Sequence, residues 1–330
     1  MAAYYKFEDL SGESTPNHSD NPYDGLIDSC NDDPAQIQTR YNTHRNNRNA
    51  QQRAKLLSLD FLGVTIDEIL ARLEDPTIEP GFRDWRHCLV FWARPPMKVR
   101  DLIGKVQEKL LDVAPSPSLP FPHSYYILTR NAELWTMPSE NLHMTALEVT
   151  HSLTASEIDR LVEQMLPEAQ DIANHTLQHR ARLVKPLLSF DAQALALSFL
   201  PAAGERGVPA HDDSYTYHHL RRDLHAKASA AGVKVASRYV IPSAHLTIGR
   251  FITKSDFDTS DGAVDHAKVE RFIERIESIN EWLQAEYWPS EDSIKVGGEW
   301  VVGEEKGLDF RQGALWYGGG GETVCLGQGF

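Results

Sequence analysis

"PSENLHMTALEV" (138–149) and "PSAHLTIGRF" (242–251) share one layout: Pro-Ser, a short spacer, then His-x-Thr on an apolar run. Side chains on a strand alternate between its faces, so His143 and Thr145 point one way while Met144 and Ala146 point the other. The same alternation pairs His245 with Thr247 and sets Leu246 and Ile248 behind them. Each motif therefore presents an imidazole and a hydroxyl about 7 Å apart on a single face. Glu148, the acid on the first motif's apolar run, has the opposite parity to His143 and is expected to point away from it.

With 14 histidines in the chain, about one His-x-Thr arises by chance, so the weight lies in what surrounds the two motifs. "CLVFWA" (88–93), closed by Pro95-Pro96, is a continuous apolar run of strand length. In "MKVRDLIGKVQEKLLDVAP" (97–115) the residues Val99, Leu102, Ile103, Val106 and Leu110 recur at helical spacing. "SYYILT" (124–129) reads as a strand. "TASEIDRLVEQML" (154–166) reads as a helix with Thr154 and Glu157 as a capping box. After a strand at "ALALSFLP" (194–201), the same order returns. A helix at 214–231 carries Leu220, Leu224 and Ala228 inward and ends at Gly232, then the second motif and a helix at 266–288 follow. Helix, Pro-Ser turn, His-x-Thr strand, helix occurs twice and predicts two similar lobes. "WVVGEEKGLDFRQGALWYGGGGETVCLGQGF" (300–330) predicts short strands and Gly-rich turns that complete a sheet.

Ahead of this body, residues 1–45 are rich in Ser, Asn, Asp, Pro and Gly and predict a mobile tail. "RNNRNAQQRAKLLS" (45–58) and "TIDEILARLEDP" (65–76), the latter capped by Thr65 and stopped at Pro76, predict a helical extension over 46–84. The main domain is then 85–330, with interleaved lobes of about 85–180 and 181–330. At 330 residues and 41% hydrophobic content the chain has material for a sizeable core. A net charge of −14 argues against extended DNA binding, which needs a basic face, and leaves room for a small anion held by a few local groups. Cys30, Cys88 and Cys325 form no CxxC pair and predict neither a disulfide framework nor a zinc knuckle. With no leader-like N-terminus and no apolar run of about 20 residues, the expectation is a soluble monomer of the cytoplasm or nucleus.

If the lobes face each other, two imidazoles and two hydroxyls converge on one cleft. Imidazoles with ordinary pKa values near 6.5 can divide labour at neutral pH, one as base and one as acid. That suits in-line attack on a phosphodiester. The neutral ring takes a proton from water, the protonated ring gives one to the departing ribose oxygen, and the hydroxyls hold the non-bridging oxygens. Metal-dependent phosphoesterases gather several carboxylates with histidines, a pattern missing here, so no metal or cofactor is expected.

"LHMTALEV" and "AHLTIGRF" resemble the paired H-x-T-h signatures (h hydrophobic) of the two-histidine (2H) phosphoesterase superfamily. The wider stretches "CLVFWARPP", "AELWTMPSENLHMTALEVTHS" and "VIPSAHLTIGRF" resemble its fungal members of the RNA ligase or cyclic nucleotide phosphodiesterase-like kind, over roughly residues 85–255. The resemblance implies an α+β, bilobal fold: two pseudo-symmetric antiparallel sheets with outer helices around a central cleft. It implies metal-independent hydrolysis of 2',3'-cyclic phosphates on nucleotides or short RNA ends, with His143 and His245 as the acid/base pair and Thr145 and Thr247 as phosphate clamps. His245 is favoured as base and His143 as acid. Arg250, at the end of the second motif strand, is a candidate phosphate contact.

Base stacking needs an aromatic face, and Trp92, Trp135, Tyr126 and Tyr239 are the candidates. "YHHLRR" (217–222) and "HTLQHRARLVK" (175–185) offer local anion patches but read better as solvated faces, and "GGGG" (318–321) reads as a turn. Two competing functions stay open. One is RNA end ligation or 3'-end trimming by the same histidines. The other is a non-catalytic module that binds a nucleotide or a protein.

Overall fold

In a computed structural model, residues 8–12, 19–111, 134–205, 212–290 and 295–330 are described. The expected strand at 124–129, with Tyr126, lies outside them. The helices are α1 (Asp24–Ser29), α2 (Pro34–Leu56), α3 (Glu68–Glu74), α4 (Met97–Leu111), α5 (Ala155–Ala173), α6 (Tyr217–Ala230) and α7 (His266–Tyr287). The strands are β1 (His87–Ala93), β2 (Leu134–Thr136), β3 (Met144–Leu153), β4 (Arg182–Phe190), β5 (Ala194–Pro201), β6 (Ala244–Phe251), β7 (Trp300–Val301), β8 (Asp309–Gly313) and β9 (Gly321–Leu326).

The architecture is α+β, with two wholly antiparallel sheets ordered β3-β1-β8-β9 and β2-β6-β5-β4-β7. The two motif strands sit in different sheets, and β3 and β6 meet across the space between them. β2 crosses into the second sheet, while β8 and β9 return from the C-terminal end to the first. Helix α5 covers the first sheet, and α2 and α7 cover the second. No helix among the described residues is long and apolar enough to cross a membrane.

The helical stripes expected from spacing are the buried ones. Val99, Leu102, Ile103, Val106 and Leu110 of α4 and Val269, Phe272, Ile273, Ile276 and Leu283 of α7 face the core. Full burial of such a side chain contributes about 1.5–3 kcal/mol. At the head of α5 the Thr154 N–H donates to Glu157 Oε2 at 2.8 Å, as the capping pattern predicts. Helix α3 starts later than expected: its cap is Asp67, whose Oδ1 accepts from the Leu70 N–H at 3.2 Å, rather than Thr65.

Residues 19–45 depart from the expected mobile tail. They carry α1 and the first half of α2, and Tyr23, Ile27, Ile37 and Tyr41 are buried in the same core as both sheets. Asp33 caps α2 through a bond from the Ala35 N–H at 2.9 Å, with Pro34 at the first helical position. The helix docks by single contacts instead of an apolar stripe. Gln38 donates to the Pro201 carbonyl at 2.8 Å, and Arg45 to that of Lys185 at 2.7 Å.

Candidate active site

Along β3, Trp92 of β1 pairs with Thr145 and Phe91 with Leu147, so Ala146 is an extra residue, a β-bulge. Along β6, Ala196 of β5 pairs with Thr247 and Leu195 with Gly249, so Ile248 is extra at the same place in its motif. A bulge shifts the alternation by one for the residues that directly follow it. The residue three beyond the threonine therefore returns to the face of the histidine. On β3 that residue is Glu148 and on β6 it is Arg250, and both line the cleft together with His143, Thr145, His245 and Thr247. Glu148, expected on the other face, is corrected by this bulge. Gly249 belongs to the same device: a Cβ there would lie 3.1 Å from the Trp135 carbonyl oxygen, so β2 would have to give by a few tenths of an ångström to stay paired.

The cleft holds about 760 Å³, counting its opening to solvent. Cys88, Val90 and Trp92 of β1 and Leu315 form an apolar cluster along one wall. Both motif histidines are half-buried. The His143 Nδ1–H donates to the Asn141 carbonyl at 2.7 Å, which leaves the lone pair of the neutral ring on Nε2. The ring stacks on Trp92, centroids 3.9 Å apart and planes 20° apart, and Arg94 and Arg311 lie 4.7 and 5.2 Å from the Trp92 centroid. Burial pushes His143 down to about 3, and the guanidiniums of Arg94, Arg250 and Arg311 push the same way.

His245 is held differently. Its Nδ1 is 3.0 Å from Ser243 Oγ, a hydroxyl that can donate or accept, so the ring can present Nε2 either bare or protonated. Tyr239 sits beside it, centroids 5.9 Å apart. Burial lowers His245 to about 4, and the Arg221 charge is the next largest influence in the same direction. No side chain among the described residues bonds Nε2 of either ring or the hydroxyls of Thr145 and Thr247.

Three guanidiniums line the cleft. Arg238 is clamped on Glu148, with its Nε 3.0 Å from Oε2. Arg250 Nη1 is 3.2 Å from Asp67 Oδ2, and its buried Nε has no partner. Arg221 donates to the Ile241 carbonyl at 2.9 Å and to the Tyr23 hydroxyl at 3.2 Å. Reading "YHHLRR" as a solvated face is therefore overturned: Tyr217, His218, His219 and Arg221 are all buried. The signal was present, because Tyr217, Leu220, Arg221, Leu224 and Ala228 share one helical stripe.

Of the stacking candidates, Tyr239 lines the cleft. Trp92 does too, but its ring is 1% exposed and one face is taken by His143, which leaves no face for a base. Trp135 packs on the core and near Tyr317, away from the cleft lining. Elsewhere, His175, His179 and Asp223 bring metal-ligating atoms within 4.8 Å of one another. The two rings there stack 4.2 Å apart with planes 19° apart. Nearly parallel imidazoles cannot both aim in-plane lone pairs at one ion about 2.0 Å away. Tyr215 already donates to Asp223 at 2.8 Å.

No protein-family model matches the chain, and no curated protein matches it. Among solved structures, it is similar to TT0787 of Thermus thermophilus at a TM-score of 0.34 and 14% identity, over 68% of this chain and 87% of that one.

Proposed function

We propose that the cleft hydrolyses 2',3'-cyclic phosphates of nucleotides or RNA ends without a metal, by acid/base chemistry of His143 and His245. The observation that carries this reading is the pair of equivalent His-x-Thr-bulge strands, which bring two unpartnered Nε2 atoms and two unpartnered hydroxyls to one cleft. The resemblance of "LHMTALEV" and "AHLTIGRF" to the 2H phosphoesterase signatures points the same way.

His143 is assigned as base, the reverse of the order expected from sequence. Its Nδ1–H is committed to a carbonyl and the guanidiniums around it disfavour the imidazolium. Its Nε2 takes a proton from water as the water oxygen bonds to phosphorus. The bond from phosphorus to one ribose oxygen breaks, and His245 Nε2–H gives that oxygen its proton. Thr145 and Thr247 donate to the non-bridging oxygens where charge accumulates. The product is a ribose phosphomonoester, and solvent returns each ring to its starting state.

The test is turnover of a panel of 2',3'- and 3',5'-cyclic nucleotides and a cyclic-phosphate-ended oligonucleotide, with and without a chelator. Ring opening of the 2',3' compounds, undiminished by chelator, is expected. A folded protein that opens none of them ends this reading.

A further inference from the structure

We propose that Arg221 is the anion receptor of this cleft, binding the phosphate oxygens of the substrate through its guanidinium, and that Tyr23 of the N-terminal segment holds it in place. This rests on the phosphate-ester reading above for the identity of the anion. Arg221 is 1% exposed, yet among the described residues no carboxylate pairs with it; tyrosines are the groups around it. The other two guanidiniums of the cleft are matched, Arg238 by Glu148 and Arg250 by Asp67. A chain with 47 acidic side chains against 33 basic ones has ample carboxylates for a third pair. Leaving this one buried cation without a counter-ion costs free energy that an anionic ligand would offset.

The geometry agrees. The Nη groups are tied to the Ile241 carbonyl and the Tyr23 hydroxyl, while the buried Nε has no partner. The guanidinium lies 4.6 Å from the Tyr23 centroid and 5.8 Å from that of Tyr217, which fixes its plane. Tyr23 is itself anchored, since its carbonyl accepts from His218 Nε2 at 3.0 Å and His218 Nδ1 meets the Tyr41 hydroxyl at 2.9 Å. After burial, the Arg221 charge does most to hold His245 unprotonated. An anion bound between them removes that bias and lets His245 take up the proton it must give away.

Inorganic phosphate is the probe. Thermal melting and calorimetric titration compare the wild type with Arg221→Met and Arg221→Lys, and the wild-type arginine Nε–H resonance is followed by NMR. Arg221→Met is expected to melt close to wild type without ligand, because removing an unmatched buried charge offsets the loss of its bonds to the Ile241 carbonyl and the Tyr23 hydroxyl. It should also lose the phosphate-induced rise in Tm and bind phosphate at least about tenfold more weakly. Arg221→Lys should keep part of the binding. In the wild type, phosphate should shift the Nε–H signal that Arg221→Lys removes. Equal phosphate affinity in all three proteins overturns the proposal, as does an Nε–H resonance that phosphate leaves unmoved. An Arg221→Met that loses stability while retaining the phosphate response shows a purely structural arginine and overturns it too. Phosphate binding through Arg221 without turnover of any cyclic nucleotide removes the hydrolase reading alone.

Discussion

The strands β3 and β6 carry the same backbone device, His-x-Thr, an extra residue, then a charged side chain returned to the cleft, but their surroundings differ. On β3 the histidine is pinned to a carbonyl and stacked on Trp92, and the returning side chain is Glu148, buried against Arg238. On β6 the histidine rests on a serine hydroxyl, and the returning side chain is Arg250, held by Asp67. A repeated motif thus sets position, while its non-repeated neighbours set protonation. Under the proposed reaction, the pinned ring is the one that accepts a proton and the adaptable one the one that delivers it.

The largest expected effect comes from removing either ring. His143→Ala and His245→Ala should each lower kcat by about 10²–10⁴-fold, with the double variant little worse than the singles. Steady-state rates on a 2',3'-cyclic nucleotide measure this, and full additivity would break the idea of one shared reaction centre. Next is the contrast of the returning charges. Glu148→Gln leaves Arg238 without its partner and should cost about 3 kcal/mol in urea unfolding. Arg250→Gln should cost less, about 1 kcal/mol, because Asp67 keeps its bonds from the Leu70 N–H and the Tyr317 hydroxyl. Equal losses would erase the difference drawn between the two strands.

Acid stability sharpens the comparison further. His143 at about 3, His245 at about 4 and His218 at about 3 all lie below the ordinary 6.5. The unfolded chain then binds more protons between those values, so stability is complete above about pH 6.5 and falls toward about pH 4. Urea midpoints measured across that interval should fall, and a flat profile would contradict the burial of neutral rings. Ser243→Ala should have the smallest effect, less than about tenfold on kcat, and should move the limb of the pH profile assigned to the acid. No change in either limb would show that the hydroxyl does not tune His245.

Periodicity made much of this legible. β1, β5, β6, α4, α5 and α7 fall where apolar spacing puts them, because each buries a continuous face. Both His-x-Thr pairs were readable for the same reason. Glu148 was misplaced because strict alternation cannot foresee Ala146 as an unpaired residue. Residues 24–45 were misread because α2 docks through isolated side chains and hydrogen bonds, which hydropathy does not register. Arg221 was placed on a solvated face because an arginine on an apolar stripe gives no sign of burial until Tyr23, distant in sequence, is seen behind it.

That last contact bears on how the molecule divides. A shortened protein beginning at "CLVFWA" (88–93) would keep both imidazoles and both hydroxyls. It would nevertheless strip the aromatic backing from Arg221 and open a seam along α6 where Tyr23 and Tyr41 now sit. The core shared by both sheets therefore reaches back at least to Tyr23, and a cut at residue 88 would remove part of it.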